Sequence, residues 1–302
     1  MYIENVQISY GAMKEISPRG LARSLGVSES SVKRWVDDGA LSARRTIGGH
    51  RRIAVAEAVR FVRQSGAAVV RPDLIFGAGG ATAPERFDPA ASRDAGHQLR
   101  TLLGHDDVVA ARALLLGLFV SGWPVAALCD GPIRFALEAI GTLWLHGPAG
   151  IVTEHRATDT CVRALAEMRA LFPPPATDAP VAIGAAPSDD PYILPSMMVA
   201  TVLADLGYRD HNLGPDTPIA ALDEAVDRYD PRIVWLSLSV APDGDQLRET
   251  ATRLAARLLR RGATLIVGGR GVPPMQPRPG LLPIHSMTEL AAFARGARTG
   301  NA

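Results

Sequence analysis

Only two cysteines, Cys129 and Cys161, occur in the 302 residues, so no disulfide framework can be drawn and a reducing, cytoplasmic setting is expected. The opening MYIENVQISY lacks the basic-then-apolar order of a secretory signal. A long unbroken apolar run is missing as well. The most apolar stretch, residues 113–129, is interrupted by Gly117, Gly122 and Pro124, which predicts a buried helix pair and no membrane partner. Nor does one sign of charge dominate, since 32 basic and 31 acidic side chains leave a formal charge of +1. That balance conceals an uneven spread: residues 1–66 hold 11 Lys and Arg against 6 Asp and Glu. A basic end on a near-neutral body points to a polyanion partner at that end.

The remaining composition, 47% apolar and 21% charged, is that of an ordinary folded chain with room for two or three domains. Ser17-Pro18 reads as a helix start, a capping hydroxyl followed by a proline that needs no amide donor. The helix ends at Gly26, and a second runs from about Glu29 to Asp38. Leu21, Ala22, Leu25, Val27, Val32 and Trp35 form the apolar set that packs two helices across a tight turn. Ser30, Ser31, Lys33 and Arg34 then face outward, toward phosphates and base edges. Gly48-Gly49 makes a hairpin of the next stretch, which carries Arg44, Arg45, His50, Arg51 and Arg52. Turn, recognition helix and RTIGGHRRI wing, in that order, resemble the winged-helix DNA-binding domain of MerR-type regulators over residues 13–66.

Residues 67–91 show no sustained period and predict a flexible linker. Residues 92–172 turn helical in four segments, 92–103, 106–121, 124–145 and 151–172, which predicts a four-helix bundle. After a Pro-rich connector, strands and helices alternate over residues 180–298, the pattern of a flavodoxin-like parallel α/β sheet. The expected fold class is therefore multidomain: an all-α winged helix-turn-helix, a four-helix bundle and a flavodoxin-like sheet.

Within the sheet domain, Asp190, Ser237 and Gly268-Gly269 stand at the spacing of the Asp-x-His-x-x-Gly, Ser-x-Leu and Gly-Gly signature of cobalamin-binding domains. Ten residues after Trp144 comes Glu154-His155, which resembles the Trp-x9-Glu-His motif of the CarH/LitR light-responsive repressors. The resemblance implies a bundle capping adenosylcobalamin, with Trp144, Glu154 and His155 above the ring and Asp190, Tyr192, Ser237, Ser239, Gly268 and Gly269 below it. It also implies a homo-oligomer, dimer or tetramer, on a double-stranded DNA operator. The chain departs where the family has its axial histidine (Tyr192), its tail-passing glycine (Pro195), its Ser-x-Leu leucine (Ser239) and its photoproduct histidine (Leu145). Base-on cobalamin, another tetrapyrrole such as haem or biliverdin, and no cofactor therefore stay open. No metal ligand set and no catalytic residue are expected. The function expected is transcriptional regulation, by repression in the family's manner, and not catalysis; a corrinoid-dependent enzyme component and a ligand-independent regulator are the alternatives.

Overall fold

The computed structural model describes residues 15–76, 87–142, 147–241 and 244–299. At the N-terminus come β1 (Glu15–Ile16), α1 (Pro18–Leu25), α2 (Glu29–Asp37), β2 (Arg44–Arg45), β3 (Arg51–Ala54) and α3 (Val55–Ser65). The helices are accompanied by a small antiparallel sheet of order β1-β3-β2. Strand β1 has no period of its own to announce it in two residues. Its Ile16 is buried and pairs with Ile53, which closes the domain around Leu21, Leu25, Val32, Leu41 and Val59.

Glu57 locks the base of the wing to α3. It accepts the Ser42 N–H at 2.8 Å and the Arg60 Nε–H at 2.8 Å. Arg60 first, and Ser42 after it, hold the carboxyl at about 2 against an ordinary 4.5, in spite of its partial burial. A depressed folded pKa gives stability that is complete above about 4.5 and is lost as pH falls toward about 2. Thermal melts of the full chain across that window should fall more steeply for the wild type than for Glu57→Gln. Parallel curves would remove Glu57 from the acid transition.

The stretch after α3 differs from the predicted linker. Val69, Ile75 and Phe76 are buried, and the short α4 (Asp73–Phe76) packs between α1 and the bundle. The Val70 and Arg71 N–H groups donate to Ser24 O, and Ser24 Oγ donates back to Arg71 O at 2.9 Å. Residues 67–76 are thus a packed strap, held by apolar side chains too few to form a period. The remainder of the expected linker, up to residue 86, lies outside the described residues.

The bundle comprises α5 (Ala91–Gly104), α6 (Val108–Val120), α7 (Val125–Leu128), a π-helical turn (Cys129–Ile133), α8 (Arg134–Gly141) and α9 (Pro148–Arg169). Helix α6 is apolar almost all round because it is central: residues from Ala113 to Val120 are buried. No described helix is long and apolar enough to cross a membrane. The π turn carries Asp130 toward the sheet domain. There its carboxylate accepts the N–H groups of Met287 and Thr288, both at 2.8 Å, and so caps the last helix.

The sheet domain runs β4 (Val181–Ala185), α10 (Ile193–Asp205), β5 (Arg209–Asn212), α11 (Ile219–Tyr229), β6 (Ile233–Ser237), α12 (Gly244–Leu259), β7 (Thr264–Gly268), β8 (Leu281–Ile284) and α13 (Met287–Thr299). All its strands are parallel, in the order β5-β4-β6-β7-β8. The chain reverses direction across the sheet between β4 and β6, the place where such folds open a crevice at the carboxyl ends of strands. Helices α11 and α12 cover one face over Ile183, Val234, Leu236 and Leu265. The other face, with Ala182, Trp235 and Ile266, belongs to the same core as the bundle and the N-terminal domain.

Arg63, in the last turn of α3, sits where all three parts meet. Its guanidinium donates to Phe119 O at 2.6 Å and Trp123 O at 3.1 Å. It also lies 4.0 Å from the Phe119 ring centroid and 3.3 Å from Asp205 at the end of α10. Burial lowers the Arg63 pKa and raises that of Asp205, each partly offset by the other's charge.

Candidate nucleic-acid interface and sheet-domain crevice

Capping sets the two helices of the N-terminal domain. Ser17 Oγ accepts the Gly20 N–H at 3.0 Å and Ser28 Oγ the Ser31 N–H at 3.1 Å. Gly26, at φ +67°, ends α1 in the left-handed conformation that glycine adopts without strain. Val32 is buried, and Trp35 packs on Phe61 with ring centroids 4.9 Å apart, so Ser30, Lys33 and Arg34 are left exposed. Ser30 and Ser31 lie within hydroxyl hydrogen-bond distance of Ser28, which ties both to the cap.

The wing turns at Gly49 (φ +78°), where Thr46 N donates to His50 O at 2.9 Å. Its register places Arg44 opposite Arg52 and Arg45 opposite Arg51. A groove of about 390 Å³ runs between the start of α1, the outer side of α2 and the wing. Arg19, Lys33, His50, Arg51 and Arg52 line it together with the capped start of α1. Cations converging from α1, α2 and the wing on one groove form a phosphate-binding arrangement. Sequence reading missed Arg19 and the Ser17-Pro18 start as parts of this groove, although the capping signal was visible. Arg34, Arg44 and Arg45 do not line it. Arg44 is drawn to Glu15 in β1 instead, with Nη2 to Oε2 at 2.9 Å. Two of the groove cations also have local partners, Lys33 with Glu29 at 2.9 Å and Arg51 with Asp37.

At the other end of the molecule, the ends of β4, β6 and β7 bring together Asp190, Tyr192, Ser237, Ser239, Gly268 and Gly269. Asp190 is buried, and both its oxygens are used: one accepts the Tyr192 N–H at 3.2 Å, the other the N–H groups of Ser239 and Val240. It therefore pins the loop after β6 to the start of α10. Asp190→Ala should cost about 2 kcal/mol by leaving these donors unmet, measured by denaturant unfolding of the full chain. An unchanged midpoint would remove this role.

The Gly-Gly corner is tightly packed on its inner side. A Cβ on Gly269 (φ +116°) would collide with Leu238 O, and one on Gly271 with Val240 O. The loops after β6 and β7 thus pack backbone against backbone, and Val272 N donates to Gly269 O at 3.2 Å in a tight turn that needs glycine at 269. Ser237 is buried, while Tyr192 is exposed, with Arg270 5.5 Å from its ring centroid. Arg270 Nε donates to Ser239 O at 3.2 Å.

Trp235 fills the interior below this corner. Its indole is 1% exposed and lies over Gly184, where a Cβ would overlap the ring. The indole N–H donates to Ser196 Oγ at 2.9 Å, and that hydroxyl donates to Asn212 Oδ1 at 2.8 Å. These residues do not fit a cobalamin held from below with its tail inserted. The carboxylate that would orient a ligand is spent on backbone, the side chain at the ligand position is a phenol, and the space beneath is occupied. Among the described residues, no group of three or more His, Cys, Asp or Glu could hold a metal ion.

On α9, Thr158 Oγ1 donates to Glu154 Oε1 at 2.9 Å, and His155 Nε2 lies 3.6 Å from Glu154 Oε2. Trp144, Leu145 and His146 lie outside the described residues.

Comparisons with known proteins bear on the N-terminal domain and on the fold of the body. A helix-turn-helix domain model matches residues 17–65. No curated protein matches the chain. Among solved structures, the monomethylamine corrinoid protein of Methanosarcina barkeri is similar at TM-score 0.52 and 18% identity, over 68% of this chain and 98% of that one. A cobalamin-binding protein of Desulfitobacterium hafniense DCB-2 aligns at TM-score 0.33 and 19% identity, over 70% and 98%. The first likeness carries the fold. The chain joins an N-terminal helix-turn-helix domain to a helical bundle and parallel sheet arranged as in a corrinoid protein.

Proposed function

We propose that the chain is a double-stranded-DNA-binding transcriptional regulator of MerR type, cytoplasmic and non-enzymatic. Its bundle-and-sheet body receives the signal and brings copies together on a repeated operator. The groove shared by α1, α2 and the wing carries this reading, because it gathers Arg19, Lys33, Arg51 and Arg52 on one face. Repression follows from occupancy of such an operator by an oligomer, whose linked readers gain avidity. Fluorescence anisotropy on duplex DNA at rising salt tests it. The logarithm of affinity should fall linearly with the logarithm of salt, with a slope of about −0.9 for each phosphate neutralised. Salt-independent binding, or none to any genomic fragment, would sink the proposal.

A second reading has the body sensing a planar tetrapyrrole, cobalamin, haem or biliverdin, laid against the outer rim of the strand ends. Exposed Tyr192, Ile193, Leu213 and Val240 favour it, since they give that rim apolar area. Visible spectra after incubation with each pigment and desalting decide it, retained colour being the expected result and colourless protein the contrary one.

A further inference from the structure

We infer that the sheet domain is closed to an inserted cobalamin tail because its own Trp235 occupies the space between sheet and helix. Trp235 stands on β6 two residues before Ser237, on the same face of the strand. It reaches across β4 over Gly184, a position at which any side chain would displace the ring. From there its N–H meets Ser196, the residue after Pro195 in the first turn of α10. Ser196 in turn meets Asn212 at the end of β5. One hydrogen-bonded chain thus runs from β6 through α10 to β5, directly under the position where the sequence has Pro195 in place of a glycine.

Above this chain, Asp190 bridges the start of α10 to the loop after β6. Among the described residues the buried side-chain atoms without partners are Ser121 Oγ and Arg169 Nη1, and none belongs to Trp235, Ser196, Asn212 or Asp190. The filling is complete in polar as well as steric terms. A heteroaromatic base of indole-like size could enter only by expelling a fully buried tryptophan and breaking two satisfied hydrogen bonds. What an inserted cofactor base would supply to this domain, a flat aromatic wedge between sheet and helix, the chain supplies from its own sequence. The inference concerns the sheet domain alone and does not depend on DNA binding.

The test uses the full chain, methylcobalamin in the dark and desalting, with the visible spectrum as the readout. Any cobalamin that the wild type retains should keep the absorption of the form whose own base still ligates cobalt. Stoichiometric retention with that base displaced overturns the inference. A paired test assigns the block to Trp235. In a Tyr192→His/Pro195→Gly background, which restores the ligand and the passage, base-displaced cobalamin should still be excluded. Adding Trp235→Gly should raise retention at least about tenfold. Base-displaced binding before Trp235 is changed overturns the proposal, as does its absence afterwards in a variant whose circular dichroism is native. Should the triple variant not fold, the wild-type arm decides alone.

Discussion

Arg63→Met is expected to lower the unfolding free energy by about 3 kcal/mol, the low end of the cost of removing one partner from an ion pair largely withdrawn from solvent. Asp205 would be left with 20% of its side chain exposed and no countercharge from α3. The carbonyls of Phe119 and Trp123 would lose their donor, and the Phe119 ring its cation. For a chain of this size the melting temperature should drop by roughly 5 °C. Arg63→Lys should recover part of the loss, because an ammonium keeps the charge without the planar fork that reaches three acceptors. Asp205→Asn separates charge from shape. Its folded pKa lies above the ordinary 3.8, so the stability this group adds is present below 3.8 and is lost as pH rises through the folded value. The amide variant should abolish that slope while keeping an acceptor for Val125. Melting curves of Arg63→Met within about 1 °C of wild type would show the joint to be ornamental.

Changing both Arg51 and Arg52 to Ala is expected to weaken duplex binding at least about 100-fold at physiological salt, since charge-assisted hydrogen bonds contribute roughly 1.5–3 kcal/mol each. The salt slope should shrink by about 2. The two residues are not equal contributors. Arg51 is already paired with Asp37 in the free protein, so it exchanges one partner for another, whereas Arg52 has, among the described residues, only the longer-range attraction of Glu15. Arg52→Ala should therefore be the more damaging single change, and Asp37→Asn should strengthen binding a few-fold. The same reasoning applies to Lys33 and Glu29. Titration of these variants against one duplex at two salt concentrations gives every comparison. An unchanged slope in the double variant would take the wing off the phosphate backbone.

The elements that could be read from sequence are those with a local signal. Ser17-Pro18, Gly26 and the Gly48-Gly49 turn punctuate the N-terminal domain, and the four helical segments and buried strands follow from periodicity and apolar runs. Residues 67–76 carried no such signal, because a strap held by Val69, Ile75 and Phe76 has apolar side chains at no regular spacing. Arg63 and Asp205 are 142 positions apart, and each reads locally as an ordinary charged residue near a helix end. Trp235 reads as one more apolar side chain in a buried strand. Its meaning lies in Gly184 and Ser196, which only the fold places beside it. Asp190 was found by spacing, yet its work is to hold backbone, which spacing alone does not reveal.

The continuous core has a consequence for how such a chain can be taken apart and reused. A reader on a free tether could be exchanged between regulators like a plug. Here Val62, Phe76, Phe119 and Trp123 belong to one apolar body, and Arg63 closes the seam. A graft that replaced residues 15–65 with another helix-turn-helix domain would bare the flank of α6 and strand Asp205. Exchanging the N-terminal domain therefore requires matching substitutions on the face of the body that it meets.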